Sequence, residues 1–174
     1  NDYRIGATRR EDLVVTTSTR SIPFTREAVR KEIPAMFAHA LKLRQVSAGG
    51  DASVEMELNA TGNVNFDFGR FGVEFVASPR HADGVVVTGP VSRNMAEALQ
   101  VCYDAVPDPK VLIVAGSEAV SGGLYAESSE VDRSFYENHT PDLWLPGAPT
   151  HPMIFIEAVM NLIGRDRRED HTQK

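Results

Sequence analysis

Few residue types in this 174-residue sequence could carry chemistry unaided, and their spacing narrows the choice. There is one cysteine, Cys102. The chain therefore forms no internal disulfide and supplies no site needing two or more thiolates. Five histidines, His39, His81, His139, His151 and His171, keep no metal-ligand spacing with one another, so no metal site is expected. The pairs Gly49-Gly50 and Gly122-Gly123 are of a kind that can present backbone N–H groups to a phosphate. Neither fits a P-loop or a dinucleotide fingerprint. The remaining signal is a set of Gly- and Pro-containing turns: Gly49-Gly50-Asp51, Thr88-Gly89-Pro90, Gly116-Ser117-Glu118 and Pro146-Gly147-Ala148-Pro149. Singly, each is a common turn.

The elements before these turns give them meaning. Val73–Val76, Val85–Val87, Val111–Val114 and Leu143–Leu145 are β-branched or aromatic runs and read as strands, and a further strand near Arg44–Ser47 would precede Gly49. Asn94–Val106 has helical spacing, with Met95, Leu99 and Cys102 on one face and Pro107 ending it. Pro152–Leu162 reads as the last helix, closed by Gly164. Strands alternating with helices, and apolar nearly throughout, predict a flavodoxin-like α/β fold: a parallel sheet with helices on both faces. In such a sheet the turns after the strands converge at one edge, where ligands bind.

Upstream, Thr25 caps a short predicted helix carrying Glu27 and Glu32. A second predicted helix starts at Pro34, with Ile33, Met36, Phe37, Ala40 and Leu41 on one side and Lys42 and Arg44 at its end. Residues 1–44 carry nine basic and five acidic side chains, a net +4, against −10 for the remainder and −6 overall. The expected division is a basic N-terminal arm with an amphipathic helix (1–44), an α/β domain (45–164) and a polar tail (165–174). An acidic body argues against nucleic acid. The basic arm could meet lipid headgroups or an acidic partner, or be simply solvated. No apolar run approaches the ~20 residues of a membrane span.

Beyond the turns, Arg70-Phe71-Gly72-Val73, Ala77-Ser78-Pro79-Arg80-His81-Ala82-Asp83, Val87-Thr88-Gly89-Pro90-Val91, Pro107-Asp108-Pro109-Lys110 and Gly116–Gly123 follow one another in a recognisable order. From Ser47 to about Gly164 the chain resembles the small electron-transfer subunit shared by complex I (its 20 kDa subunit) and membrane-bound nickel–iron hydrogenases. The hydrogenase-type (group 4) branch looks nearer. The resemblance implies a 4Fe-4S site on four cysteines, and its motifs lay those positions on Asp51, Val54, Glu118 and Ala148, with Glu57 matching an accompanying acid. No cysteine stands at any of the four. Cubane irons take thiolates; valine and alanine offer no donor, and carboxylates are poorly matched to such chemistry. The expectation is a chain that holds no cofactor and relays no electrons.

The resemblance also draws Asp51, Glu55, Glu57 and Glu118 together. Two readings follow: an acidic pocket with raised pKa values that binds a cation or passes protons, or solvent-facing acids refilling a former site. Arg70, Arg80 and His81 match residues at the cluster and partner interface, and Arg80 could pair with Asp83 or with a partner carboxylate. The functional expectation is a structural subunit similar to the 20 kDa (B-type) subunit of NADH-quinone oxidoreductase, in a hetero-oligomeric, ion-translocating complex. Its expected partners are a large hydrogenase-like (complex I 49 kDa-like) subunit and, through the N-terminal helix, membrane-arm subunits. It would sit peripherally at the cytoplasmic face of the inner membrane. The alternatives are a flavodoxin-like module binding a small anion at the strand ends, and an electron-transfer subunit whose cluster takes ligands from a neighbour.

Overall fold

The computed structural model describes residues 6–14 and 29–165. The predicted Thr25 helix and most of the polar tail lie outside them. Five strands, β1 (Leu41–Ser47), β2 (Val73–Phe75), β3 (Gly84–Thr88), β4 (Val111–Ala115) and β5 (Leu143–Leu145), form one sheet in the order β2-β1-β3-β4-β5. Every pairing is parallel. This is the flavodoxin-like order, and strand order reverses between β1 and β3. The register leaves four strands flush at their ends: Ser47 pairs Thr88, Thr88 pairs Ala115, and Ala115 pairs Leu145. The turns that follow therefore start from one level.

Both faces of the sheet are covered, because alternate residues of each apolar strand point opposite ways. Val111, Ile113 and Ala115 of β4 join Leu41, Leu43 and Val86 in one core, which α2 (Ser53–Ala60) and α6 (Pro152–Leu162) seal with Val54, Leu58, Phe155 and Val159. Leu112 of β4 joins Val46, Val85 and Val87 in a second core, sealed by Leu99 of α3 (Arg93–Asp104) and Phe135 of α5 (Ser134–Asn138). A smaller group of Val114, Trp144 and Ala119, the last from α4 (Ser117–Ser121), lies beside it. The predicted last helix has the observed bounds. Gly164, at φ 80°, ends it with the paired bonds of a Schellman turn: Arg165 N–H to Met160 O at 2.8 Å and Gly164 N–H to Asn161 O at 3.2 Å.

The N-terminal helix is shorter than its spacing suggests. Helix α1 spans only Glu32–Phe37; Ala40, Leu41, Lys42 and Arg44 are not part of it. Leu41 and Leu43 are fully buried while Lys42 is exposed, so tertiary burial on a two-residue period claims this stretch for β1. The 44/45 boundary consequently falls inside a strand. Ile33 and Phe37 pack into the main core, which leaves this one-and-a-half-turn helix little apolar surface besides the exposed Met36.

Two contacts tie the N-terminal segments to the sheet. Ala7 pairs antiparallel with Trp144, exchanging N–H···O bonds of 3.0 and 2.8 Å, and so covers the open edge of β5. Arg30 grips the nearly buried Asp142 through Nε at 2.7 Å and Nη2 at 2.9 Å, and also donates to Lys110 O. Asp142 Oδ2 further accepts the Leu112 N–H at 2.9 Å, so one carboxylate clamps the starts of β4 and β5 to the arm. Asp142→Ala should lower stability by about 2 kcal/mol, and Arg30→Ala by less because the arginine is half exposed; urea unfolding of the full chain checks both.

Candidate functional site

All four Gly/Pro turns meet at the C-terminal edge of the sheet. Ala48 N–H bonds Thr88 O at 2.9 Å, and Ser92 N–H returns to Ala48 O at 2.8 Å, joining the first turn to the second. Ser117 N–H reaches Gly147 O at 2.7 Å, and Gly147 N–H reaches Ser117 Oγ at 3.2 Å, joining the third to the fourth. The first two touch backbone to backbone: a Cβ on Gly50 would lie 2.9 Å from Gly89 Cα, and one on Gly89 (φ 72°) would collide with the Gly50 backbone. Only glycine allows this approach at the point where strand order reverses.

The residues at the four ligand-type positions fare differently. Asp51 is fully exposed and serves its own helix: its Oδ1 accepts the Ser53 N–H at 2.9 Å and the Ser53 hydroxyl at 2.6 Å. Ala52, between them, takes up a left-handed φ of 66° to make that turn. Val54 is buried in the main core and packs beneath Gly116, where an added Cβ would sit 2.7 Å from its Cγ2. Glu118 is half-buried and leans over the first turn, its Oε2 3.5 Å from the place a Gly50 Cβ would occupy. Ala148 is exposed, one residue before Pro149.

Of the four grouped acids, Glu55 and Glu118 both reach the β1/β3 turn. Glu55 Oε1 accepts the buried Thr88 hydroxyl at 2.5 Å, a contact missed in the sequence although a lone threonine ending an apolar strand signals it. Glu57 is half-buried on α2, and no hydrogen bond or ion pair joins it to the described residues. Asp51 runs opposite to the expected upward shift. The Ser53 hydroxyl, then the Ser53 N–H, hold its carboxyl below the usual range. No group of three or more His, Cys, Asp or Glu among the described residues is placed to hold a metal ion.

Arg70, Arg80 and His81 are exposed and lie elsewhere. Arg70 stands over the Phe71 ring at 4.7 Å, on the approach to β2. Arg80 and His81 form a 3-10 turn leading into β3, at the opposite end from the four turns. Asp83 does not pair with Arg80: its Oδ2 takes the Lys42 N–H at 2.7 Å. Cys102 lies near the C-terminal end of α3, half-buried beside the second core and away from the turn edge.

This geometry defines a class: a doubly covered, flavodoxin-like domain whose four converging turns frame a site at the strand-order reversal. A family model described as NADH ubiquinone oxidoreductase, 20 Kd subunit, matches residues 52–162. The chain belongs to that family. It is similar to the B-type subunits of the NADH-quinone oxidoreductases of Geotalea daltonii (35% identical; 68% of this chain, 71% of the relative) and Desulfovibrio desulfuricans (38%; 65% and 61%). The Nocardioides sp. protein of the same name is 39% identical over 65% of this chain and 61% of its own. The alignments thus span about three fifths to seven tenths of these relatives. Among solved structures, a chain of the membrane-bound sulfane sulfur reductase, an archaeal respiratory membrane complex, superposes with a TM-score of 0.60 at 25% identity, covering 75% of this chain and 70% of that one. A chain of the NAD+-reducing [NiFe]-hydrogenase shares the fold, with a TM-score of 0.54 at 20% identity over 73% and 93% of the two chains.

Membership corrects one expectation. A chain without a cofactor does not follow from belonging to a family whose B-type members hold a 4Fe-4S cluster, and nothing in the described residues is positive evidence for its absence. Bare turns are a poor warrant for that conclusion, because ligands need not all come from one chain. What this chain offers at the four positions is two carboxylates and two hydrocarbon side chains, a set that does not fit a cubane caged by thiolates.

Ser53→Ala should raise the Asp51 pKa toward the ordinary aspartate value of about 3.9. Because the folded value is depressed, the stabilisation from this turn is present above the ordinary value and is lost as pH falls through the lower one. Carboxyl-resolved NMR titration of both proteins checks the shift.

Proposed function

We propose that this chain is a structural subunit of a membrane-associated, multi-subunit complex of the complex I and hydrogenase kind. Its four-turn edge is the face that a large hydrogenase-like subunit covers. The observation that carries this reading is the turn edge itself: four turns converge, two of them backbone to backbone, although their side chains offer no thiolate. Large apolar side chains stand in solvent beside that edge. Leu124 is 95% exposed and Tyr125 55% exposed, both next to the Gly123 that abuts Glu118, and Met56 on α2 is 70% exposed. Apolar side chains exposed around one feature suit a protein–protein contact.

The finer parts of the proposal follow from charge and family. Arg70, Arg80 and His81 make a second contact region at the other end of the sheet. The net +4 of residues 1–44 favours contact of the basic arm with membrane-arm subunits at the cytoplasmic face. No helix among the described residues is long and apolar enough to cross a membrane, which suits peripheral attachment. The acids Glu55 and Glu118 at the turn edge would then face the partner in a complex that moves ions.

Family membership favours a second reading, in which a 4Fe-4S cluster at this edge takes thiolates from a neighbouring chain. Stoichiometric iron and acid-labile sulfide in the purified complex, unchanged by Cys102→Ala, is its expected signature. Elemental analysis beside the optical spectrum decides it.

The docking reading is tested by affinity purification from membranes. The tagged wild-type chain is expected to bring down a large subunit. A Met56→Asp/Leu124→Asp double variant, unchanged in circular dichroism, is expected to lose most of it. Undiminished capture by the double variant would remove the turn edge as the docking face.

A further inference from the structure

Among the described residues, the buried side-chain atoms without a hydrogen-bond partner are the Tyr136 hydroxyl and Arg44 Nε. Native structures satisfy nearly all such groups, and each exception calls for an explanation. The Tyr136 ring lines a cavity of about 450 Å³ between α4, the 131–137 segment and β5. The hydroxyl itself is sealed off, and the rim mixes three carboxylates with the guanidinium groups of Arg10 and Arg133, so no ligand charge is selected there. Arg44 is different, because it carries a full charge and is only half-buried.

The strand pattern places it. Leu41 and Leu43 enter the main core and Val46 the second, so Arg44 rises on the second-core side of β1. The connection from β2 to β3, residues 76–83, crosses on that side, since β1 lies between the two strands and Val76 and Ala82 both pack with the second core. The connection holds a 3-10 turn at Pro79–His81 and no α-helix. Neither Nη of Arg44 is bonded and neither is sealed from solvent, so the fork reaches the surface while Nε stays buried.

No acid among the described residues answers this charge. Glu74 pairs with Lys42 at 3.4 Å, and Asp83 Oδ2 takes the Lys42 N–H at 2.7 Å. Arg80, exposed on the same connection, has no ion pair among the described residues either. Lys42, Arg44 and Arg80 thus outnumber Glu74 and Asp83 by one, and both guanidinium groups are unpaired. Holding a guanidinium partly out of water without a carboxylate costs stability. Elsewhere the chain avoids this, as where Arg30 grips Asp142 with two nitrogens.

We propose that Arg44 anchors a subunit contact at this face, its Nη groups gripping an aspartate or glutamate of a neighbouring protein chain laid over the 76–83 connection. A guanidinium fork matches a carboxylate in two parallel bonds. Glu74 and Asp83 alongside repel a polyanionic surface and so favour a single carboxylate over a lipid bilayer. The inference rests on the reading of this chain as a subunit and names the anchor of its second contact region. It makes no use of the four-turn edge.

Carbodiimide joins an amine to a carboxylate where the two touch and leaves arginine unreacted. In the purified complex carrying Arg44→Lys, the introduced amine should form an amide with an aspartate or glutamate of another subunit, located by peptide mass spectrometry. Arg44→Met should weaken retention of the chain in the complex about tenfold, the low end for a hydrogen bond to a charged group, and Arg44→Lys should weaken it less. Arg44 has no partner within the described chain, so Arg44→Met in the separate full chain should melt no lower than the wild type. An amide only to Glu74 or Asp83, no amide at this position, a lower melting temperature, or Arg44→Met retained as tightly as the wild type would each overturn the assignment. A wild-type chain that enters no complex would overturn the subunit reading and this inference with it.

Discussion

The constraint on which the rest depends is the common level at which β1, β3, β4 and β5 end. Ser47, Thr88, Ala115 and Leu145 lie side by side across the sheet, so four turns leave the same edge together. Parallel strands joined by helices create such an edge, and the reversal of order between β1 and β3 opens it. The two turns at the reversal come so close that Gly50 and Gly89 cannot carry side chains. Thr88 and Glu55, Ser117 and Gly147, and the reach of Glu118 over Gly50 follow from that convergence.

The sheet must also be held at its flanks. The open edge of β5 is covered by Ala7, and the starts of β4 and β5 are bound to the arm by Arg30 through Asp142. The arm's basic character is therefore partly internal: one of its arginines neutralises a nearly buried aspartate and is held protonated by that hydrogen bond. Charge counted along the chain does not separate such a clamp from a surface free for a partner, because both need an arginine and only one has its aspartate 112 residues away.

The turn edge and the cavity beside it share Glu118 but differ in kind. At the edge, backbone groups meet and the side chains at the ligand-type positions are small, apolar or engaged locally. In the cavity, a buried phenol stands without a partner between apolar walls. The first resembles a family site with altered side chains, and membership alone warns against reading those side chains as the whole of its chemistry. The second borrows Pro90, Val91 and the Glu118–Gly122 stretch from the same family-like segments and arises where α4 and the 131–137 segment part over Trp144.

Much of this is legible from residues alone. β-branched runs between Gly/Pro turns announce strands β2 to β5, the apolar period of Pro152–Leu162 announces α6, and one cysteine limits the thiolates on offer, because each is a local property of the chain. Residues 38–44 mislead since helical and strand periods overlap over so short a stretch, and burial of Leu41 and Leu43 between two neighbours chooses the strand. The acids at the turns can be counted in the sequence, yet only packing determines that Asp51 caps its own helix, that Glu55 takes the Thr88 hydroxyl and that Glu57 stands apart. Tyr136 gives no signal at all. That its hydroxyl is buried without a partner depends on which distant segments close around it rather than on anything in its own neighbourhood of sequence.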